Sequence, residues 1–534
     1  MSSQILGQHK SLFFRLPREL RDKIYIYCVS EDHGYLHDSS TGKLRLHDGR
    51  PIDNALMFTC KRVTRETQGL ALRTNTITFR TQVSLPEAID MPSDAALFEY
   101  LRKKRIDALG EMLCFAHSLV TSSVLQSLRE KWPNSKAVAG LMASIERYGT
   151  QIMGRDTLSL YLYDMHCDNA EQEDILDDII ELIRSHADFD ALTSIGYTKS
   201  KWYRWQLRHC VTDEHMKHLW EGKNFDESAG DFFIDELTGS PWYTEATRRS
   251  ILDWKPERWQ IPTREELRKT GKILVGWPKA SIWYENVPGR VRPQYYSAIA
   301  VTVRFLQQLP LDIRVHIRQI VIEEDNPAVN ESYAHIRGME RFWRENPSLK
   351  VEQRVDIWKT ILIPQSSPIT LFDTEVQVRD WIIQGRALCH QKTSIGSYSL
   401  VLHGPSTNAS QNLSDVMIKL AKWQLGNVEF LNRVEQKFDR GTHCVTEDYS
   451  SIIKEIVDGA ISVRFEAECI PGPWDPATIL QEHQGDWPMD REEATEAYVF
   501  EEPDEGWEAA RHASWAEIDI YDRLAWWNTL VEQL

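Results

Sequence analysis

Residues 16–25 read LPRELRDKIY and carry the strongest local structural signal in this 534-residue chain. Pro17 suits the first turn of a helix, because its missing N–H would have had no partner there. Four apolar residues follow at spacings of four, four and three: Leu16, Leu20, Ile24 and Tyr27. This period predicts one apolar helix face. The charged residues fall on the other face: Arg18, Arg21, Asp22 and Lys23.

Two further segments of the N-terminal region have clear patterns. Residues 56–66 read LMFTCKRVTRE, and residues 75–80 read NTITFR. In the second of these, β-branched and apolar residues alternate as in a half-buried strand. Together with the first helix, the two segments resemble the F-box-like N-terminus of a set of fungal proteins. The resemblance covers residues 10–83.

An F-box docks the Skp adaptor of a ubiquitin ligase, so the resemblance implies a Skp-type adaptor and an unknown protein target as partners. The residues that would form the docking surface are Leu16, Pro17, Leu20, Ile24, Cys60 and Val63. One feature departs from the family pattern. A polar insertion, 30–53, separates the first two helical pieces, where an F-box has a tight connection. A small domain whose helices only pack internally is therefore an equal alternative.

Composition limits the classes of partner. The formal net charge of −17 is the wrong sign for a dedicated nucleic-acid binder. No run of about eighteen apolar residues occurs, which argues against a membrane-spanning helix. The first ten residues lack the apolar core of a secretory signal. We expect a cytoplasmic protein without nucleic-acid or membrane partners, with the nucleus as the alternative location.

The dense basic run RKKR at 102–105 has two interpretations. It resembles a nuclear import signal, but a solvated helix face is the favoured interpretation, because Leu101, Ile106 and Leu109 suit a helix that turns its basic side to water.

A second unit repeats the opening pattern. Residues 305–318 read FLQQLPLDIRVHIR, in which Leu309, Pro310 and Arg314 fall where Leu16, Pro17 and Arg21 fell. The two copies are either a degenerate repeat of the docking helix or two cases of one rule for starting an amphipathic helix, and the second interpretation is slightly favoured. The segment 346–358, NPSLKVEQRVDIW, is similar to the C-terminal region of the same fungal proteins.

The whole chain is predicted to be a mainly helical α+β protein, with an F-box-like N-terminal helical module followed by a larger helical body with short strands. The clearest helical period is DILDDIIELI at 174–183, and Tyr398–His403 is strand-like. Six regions are predicted: an F-box-like module (10–83), a helical, Trp-rich middle (95–290), the second hallmark (295–365), an α+β region (370–481), a poorly ordered acidic segment (482–508) and a terminal amphipathic helix (509–534).

Candidate chemistry is sparse. The densest group of metal-competent side chains is His209, Cys210, His215 and His218, whose spacing matches no established zinc signature. None of the common nucleophile, phosphate-binding or dinucleotide-binding motifs is present. The prediction is a non-enzymatic interaction protein with no catalytic residue, metal or cofactor, and with the role of target-recognition adaptor in a Skp–cullin–F-box ligase. The alternatives are a structural scaffold and an enzyme of unknown class.

Overall fold

The computed structural model describes residues 11–85, 93–133, 135–148, 169–193, 245–274, 293–362, 371–390, 396–433, 447–469 and 474–482. The described residues belong to two compact units. Unit 1 contains those within 11–84, 258–261 and 293–482, and unit 2 contains those within 85–257 and 262–274. In the part of the chain that the structure describes, none of the helices is long and apolar enough to cross a membrane.

Unit 1 is built on a largely parallel sheet. The strands of the unit are β1 (Tyr35–Asp38), β2 (Lys43–Leu46), β3 (Thr76–Arg80), β4 (Gln82–Ser84), β5 (Gln294–Tyr296), β6 (Gln319–Glu324), β7 (Lys350–Asp356), β8 (Tyr398–His403) and β9 (Val463–Phe465). Among the described residues, seven of them form one sheet in the order β2-β1-β3-β6-β7-β8-β9, and β4 pairs with β5. Only β2 runs antiparallel to its neighbour in the larger sheet.

Side chains alternate between a buried and a partly exposed face of this sheet, as the period of a strand requires. On β6, Ile320 and Ile322 are buried, whereas Val321 and Glu323 are partly exposed. The apolar residues of the buried face form the core: Ile77, Phe79, Ile320, Ile322, Val351, Val355, Leu400, Leu402, Val463 and Phe465. The strands predicted within 75–80 and 398–403 are both present, at Thr76–Arg80 and Tyr398–His403.

Helices cover the buried face. The helices of unit 1 are α1 (Leu12–Arg15), α2 (Arg18–Val29), α3 (Lys61–Glu66), α4 (Leu70–Thr74), α11 (Ala298–Gln308), α12 (Leu311–Arg314), α13 (Glu340–Glu345), α14 (Leu371–His390), α15 (Thr407–Arg433), α16 (Glu447–Val457) and α17 (Pro476–Glu482). Helix α11 packs on β3 and β6, α14 and α15 pack on β8, and α15 and α16 pack on β9. The architecture is therefore α+β and mainly helical, with a seven-stranded mixed sheet.

The polar insertion at 30–53 is a hairpin that extends the sheet. Strands β1 and β2 pair antiparallel, and β1 joins the parallel sheet through Tyr35 opposite Ile77. Three of the predicted regions, 10–83, 295–365 and 370–481, thus contribute strands to one sheet. The pairing of Thr76 with Gln319 spans 243 residues, which no local pattern could indicate.

Unit 2 is helical. Its helices are α5 (Asp94–Ala116), α6 (Ser122–Lys131), α7 (Lys136–Tyr148), α8 (Asn169–Ile183), α9 (Glu245–Asp253) and α10 (Arg264–Leu274). The amphipathic period at 174–183 lies in α8, where Ile175, Ile179 and Ile183 are buried. The predicted acidic segment beyond residue 482 and the terminal helix at 509–534 lie outside the described residues.

The basic run at 102–105 is not a solvated helix face. Arg102 is 7% exposed and pairs with Glu173, and Arg105 is 3% exposed and donates to Asp177 from Nη1 at 2.7 Å. Two of its four basic residues are thus held by carboxylates of α8. This burial also disfavours the interpretation as an import signal, because these two guanidinium groups are not free to contact a receptor.

Glu324 is a buried carboxyl with no basic partner among the bonds that the structure shows for it. It is 1% exposed and accepts hydrogen bonds from the Ala298 and Ile299 N–H groups, at 3.0 and 3.2 Å, at the start of α11. Burial raises its pKa to about 8, although the two backbone bonds oppose the rise.

We expect this carboxyl to make unit 1 less stable as the pH rises from about 4.5 to 8. In that window the unfolded chain releases the Glu324 proton and the folded chain retains it, so the contribution is full below the unfolded pKa and is lost through the folded pKa. Glu324→Gln should flatten the change in melting temperature between pH 5 and pH 8. Glu323→Gln is the matched control, because Glu323 lies on the partly exposed face. Equal slopes for the two variants would contradict the assignment.

Candidate protein-docking surface

Helix α2 is held in place by one buried ion pair. Pro17 precedes its first residue, and Arg21, Tyr25 and Val29 form its buried face. The Arg21 guanidinium donates from Nε and Nη2 to the two carboxylate oxygens of Glu66 in α3, at 3.0 and 2.8 Å. Its Nη1 donates to the Leu16 carbonyl at 2.6 Å. A bidentate arginine–carboxylate pair fixes geometry as well as charge, so α2 and α3 are locked together.

Glu66 is the centre of this network, which we call the Glu66 hub: Glu66, Arg21, Tyr25 and Arg62. The Tyr25 hydroxyl donates to Glu66 at 2.8 Å, and Arg62 Nε donates at 2.9 Å. The hydrogen bonds from Arg21, with those from Arg62 and Tyr25, lower the pKa of Glu66 to about 2. Burial, together with the bond to Glu66, raises the pKa of Tyr25 to about 12. The hub is therefore charged at Glu66 and neutral at Tyr25 at neutral pH.

The sequence assigned Arg21 to the polar, outward face of the helix, and this assignment is wrong. Arg21 is 5% exposed and lies on the inward face with Tyr25 and Val29. The inward face is a polar anchor because Glu66 supplies a partner for the guanidinium. The apolar face that the sequence predicted is consequently turned to solvent.

The outward face of α2 presents large apolar side chains. Tyr27 is 87% exposed, Leu20 is 45% exposed and Ile24 is 39% exposed. These three residues, which we call the α2 patch, follow one another at spacings of four and three and so share one side of the helix. The opposite side is fixed by the Glu66 hub. An anchored helix with apolar residues facing water is typical of a protein-contact surface.

The predicted docking residues are divided between the surface and the interior. Leu20, Ile24 and Pro17 are exposed, Leu16 and Cys60 are half-buried, and Val63 is buried at 4% exposure. Val63 thus belongs to the inner side of α3 and does not present its side chain to a partner.

Sequence reasoning missed two exposed apolar residues. Phe58, in the 3₁₀ turn Ala55–Phe58, is 83% exposed, and Leu12 in α1 is 76% exposed. The available signal was the position of Phe58 two residues before Cys60, within a segment already assigned to the module.

Phe14 joins α1 to the Glu66 hub. The Arg62 guanidinium carbon lies over the Phe14 ring, 4.6 Å from the ring centroid.

The second copy of the motif, around Pro310, makes the same kind of arginine contacts as α2 but lacks the long helix. Arg314 Nε donates to Glu345 at 2.7 Å and its Nη1 donates to the Leu309 carbonyl at 3.2 Å. These bonds repeat those of Arg21 with Glu66 and Leu16. Helix α12 is only four residues long, however. The repeated feature is therefore a short turn that follows a proline and is held by the hydrogen bonds of an arginine, and it is not a second docking helix.

The buried Ser297–His335 pair is structural. Ser297 Oγ lies 2.7 Å from His335 Nδ1 and caps α11 by accepting from the Ala300 N–H. His335 Nε2 lies 2.7 Å from the carbonyl oxygen of Asn330, whose φ of 65° is unusual for a residue other than glycine. Ser297 and His335 are 0% and 2% exposed, so no substrate reaches the hydroxyl. The pair stabilises the strained loop at Asn330.

Within the described ranges, no group of three or more His, Cys, Asp or Glu side chains is placed so that it could hold a metal ion. The histidine and cysteine group at His209–His218 falls outside those ranges. Comparison with protein-family models, curated proteins and solved structures gave no match to this chain.

Proposed function

We propose that this chain is a non-enzymatic interaction protein that docks a Skp-type adaptor of a cullin ubiquitin ligase through the α2 patch and recognises a protein target elsewhere in its body. The observation that carries the proposal is the exposure of Leu20, Ile24 and Tyr27 on a helix whose other side is anchored. The F-box-like pattern in the sequence supplies the identity of the adaptor.

The anchor matters for affinity. The Glu66 hub fixes α2 before a partner binds, so docking carries no entropic cost of ordering the helix. The same segments are basic, in contrast to the acidic chain as a whole. Helices α1, α2 and α3 contain seven Lys or Arg and three Asp or Glu residues. We therefore expect the docking partner to be acidic around an apolar groove.

The rival hypothesis, a scaffold whose F-box-like helices only pack internally, requires Leu20 and Ile24 to be buried. Their exposure favours docking over that alternative.

We expect the double variant Leu20→Asp/Ile24→Asp to remain folded and to lose adaptor binding. Both side chains already contact water, so the melting temperature should change by no more than about 2 °C, whereas a carboxylate in an apolar contact is strongly unfavourable. Binding of a purified fungal Skp-type adaptor, measured by calorimetry, should weaken at least about 30-fold.

Ile26→Asp is the matched control. Ile26 is on the same helix and is 42% exposed, but it lies outside the α2 patch. It should bind the adaptor as the wild type does. A folded double variant with unchanged adaptor binding would refute the docking proposal, and an unfolded one would support the scaffold.

A further inference from the structure

One short piece from the middle of the chain packs within unit 1. Residues 258–261, RWQI, belong to unit 1, whereas the described residues on either side of them belong to unit 2. The piece contains neither helix nor strand and lies between Pro256 and Pro262. Its Trp259 and Ile261 are half-buried and pack against the core of unit 1. We call residues 258–261 the RWQI segment.

The indole of Trp259 fits a notch at Gly338, in the 3₁₀ helix Ser332–Met339. A Cβ atom at residue 338 would lie 2.8 Å from two ring carbons of Trp259, and its three nearest atoms would all belong to the indole. The backbone of Gly338 lies outside the left-handed region, so its conformation does not require glycine. The missing side chain therefore serves the close approach of the indole.

The residue before the tryptophan is held by charge. Arg258 Nε lies 3.8 Å from Glu331 Oε2, and the two side chains are 7% and 15% exposed. Glu331 and its neighbour Asn330 both have a positive φ, 52° and 65°, which is uncommon for residues other than glycine. Strained backbone of this kind clusters at sites that clamp a ligand. Gly338 and Glu331 thus form a two-point site for an indole and a guanidinium, which we call the Gly338 site.

Side chains alone hold the last three residues of the RWQI segment. In the part of the chain that the structure describes, Trp259, Gln260 and Ile261 form no hydrogen bond, and none of the three is fully buried. Tryptophan and arginine are also among the residues that most often dominate contacts between proteins. A short extended segment of another polypeptide can therefore supply every contact that the RWQI segment makes through its side chains.

We propose that the Gly338 site binds an extended target segment that carries arginine directly before tryptophan, and that the RWQI segment occupies the site until such a target displaces it. Covalent attachment gives the RWQI segment an effective concentration on the order of 1 mM, so a weakly binding target does not displace it. The inference deepens the proposed function, on which it rests, by naming a target-binding site. Its test does not involve the α2 patch.

The test measures binding of a fluorescein-labelled peptide, PERWQIP (residues 256–262), to the full-length protein by fluorescence anisotropy. Trp259→Ala vacates the notch. This variant should bind the peptide at least about tenfold more tightly than the wild type, in which the RWQI segment competes. Trp259→Ala/Gly338→Ala should lose most of this gain, because the new Cβ atom clashes with the indole of the peptide.

Trp254→Ala is the matched control. It removes another half-buried indole, five residues away and outside unit 1, and should bind the peptide as the wild type does. Arg258→Gln serves as a second variant if calorimetry shows that Trp259→Ala is unfolded. It weakens the RWQI segment without removing the indole, so it should also bind the peptide more tightly than the wild type.

Three results would overturn the proposal: no gain in peptide binding by folded Trp259→Ala or, in its place, by Arg258→Gln; equal binding by Trp259→Ala and Trp259→Ala/Gly338→Ala; or an equal gain in Trp254→Ala. Leu20→Asp/Ile24→Asp should leave peptide binding unchanged, and Trp259→Ala should leave adaptor binding unchanged. Failure of one proposal is thereby distinguished from failure of the other.

Discussion

Glu66→Gln is expected to lower the melting temperature of unit 1 by about 5 to 10 °C, because it removes the charge that neutralises the buried Arg21 guanidinium. Removing one partner of a buried ion pair strongly lowers the free energy of unfolding, since the remaining charge stays desolvated. The amide also presents a donor where Arg21, Arg62 and Tyr25 all require an acceptor. Differential scanning calorimetry of Glu66→Gln and of the wild type measures the effect.

Glu19→Gln is the control for this prediction. Glu19 lies in the first turn of the same helix and is exposed, so its loss should shift the melting temperature by less than about 2 °C. Similar melting temperatures for the two variants would mean that the hub does not stabilise the unit.

The hub also predicts an acid-labile contribution to stability. The folded pKa of Glu66 is about 2 and its ordinary value is 4.5, so the folded state binds fewer protons between these values. The stabilisation is present above pH 4.5 and is lost as the pH falls toward 2. Wild type should therefore lose more stability than Glu66→Gln over that window.

Gly34→Ala is expected to destabilise unit 1 by about 2–5 kcal/mol. Gly34 has a φ of +64°, and a Cβ atom at this position would lie 2.3 Å from the backbone oxygen of Thr76. Thr76 is the first residue of β3 and pairs with Gln319 of β6. Relief of the clash thus requires displacement of backbone that is fixed by sheet hydrogen bonds.

Gly42→Ala separates the cost of the left-handed backbone from the cost of the steric clash. Gly42 has nearly the same φ, +67°, but nothing lies within 4 Å of its Cβ position. It should cost only the strain of the left-handed backbone, about 1–2 kcal/mol. Denaturant unfolding of both variants gives the comparison, and equal costs would show that the approach of Gly34 to Thr76 is not tight.

Local pattern alone determined several elements of this protein. The proline and the apolar period at residues 16–27 predicted helix α2, the period at 174–183 predicted α8, alternation predicted β3, and the strand-like run at 398–403 predicted β8. The mainly helical α+β class followed from the same patterns. These elements depend on residues within about ten positions of each other, so the local sequence contains the information that they require.

Tertiary structure decided which face of each helix is buried and how the strands join. The Arg21 face of α2 turns inward because Glu66, 45 residues away, supplies a buried partner, and Arg102 and Arg105 are buried because α8 supplies theirs. The sequence could indicate Leu20 and Ile24 as a face, but only the position of Glu66 made that face the exposed one. The parallel sheet likewise depends on pairings across hundreds of residues, whose energies arise from contacts that no local window contains.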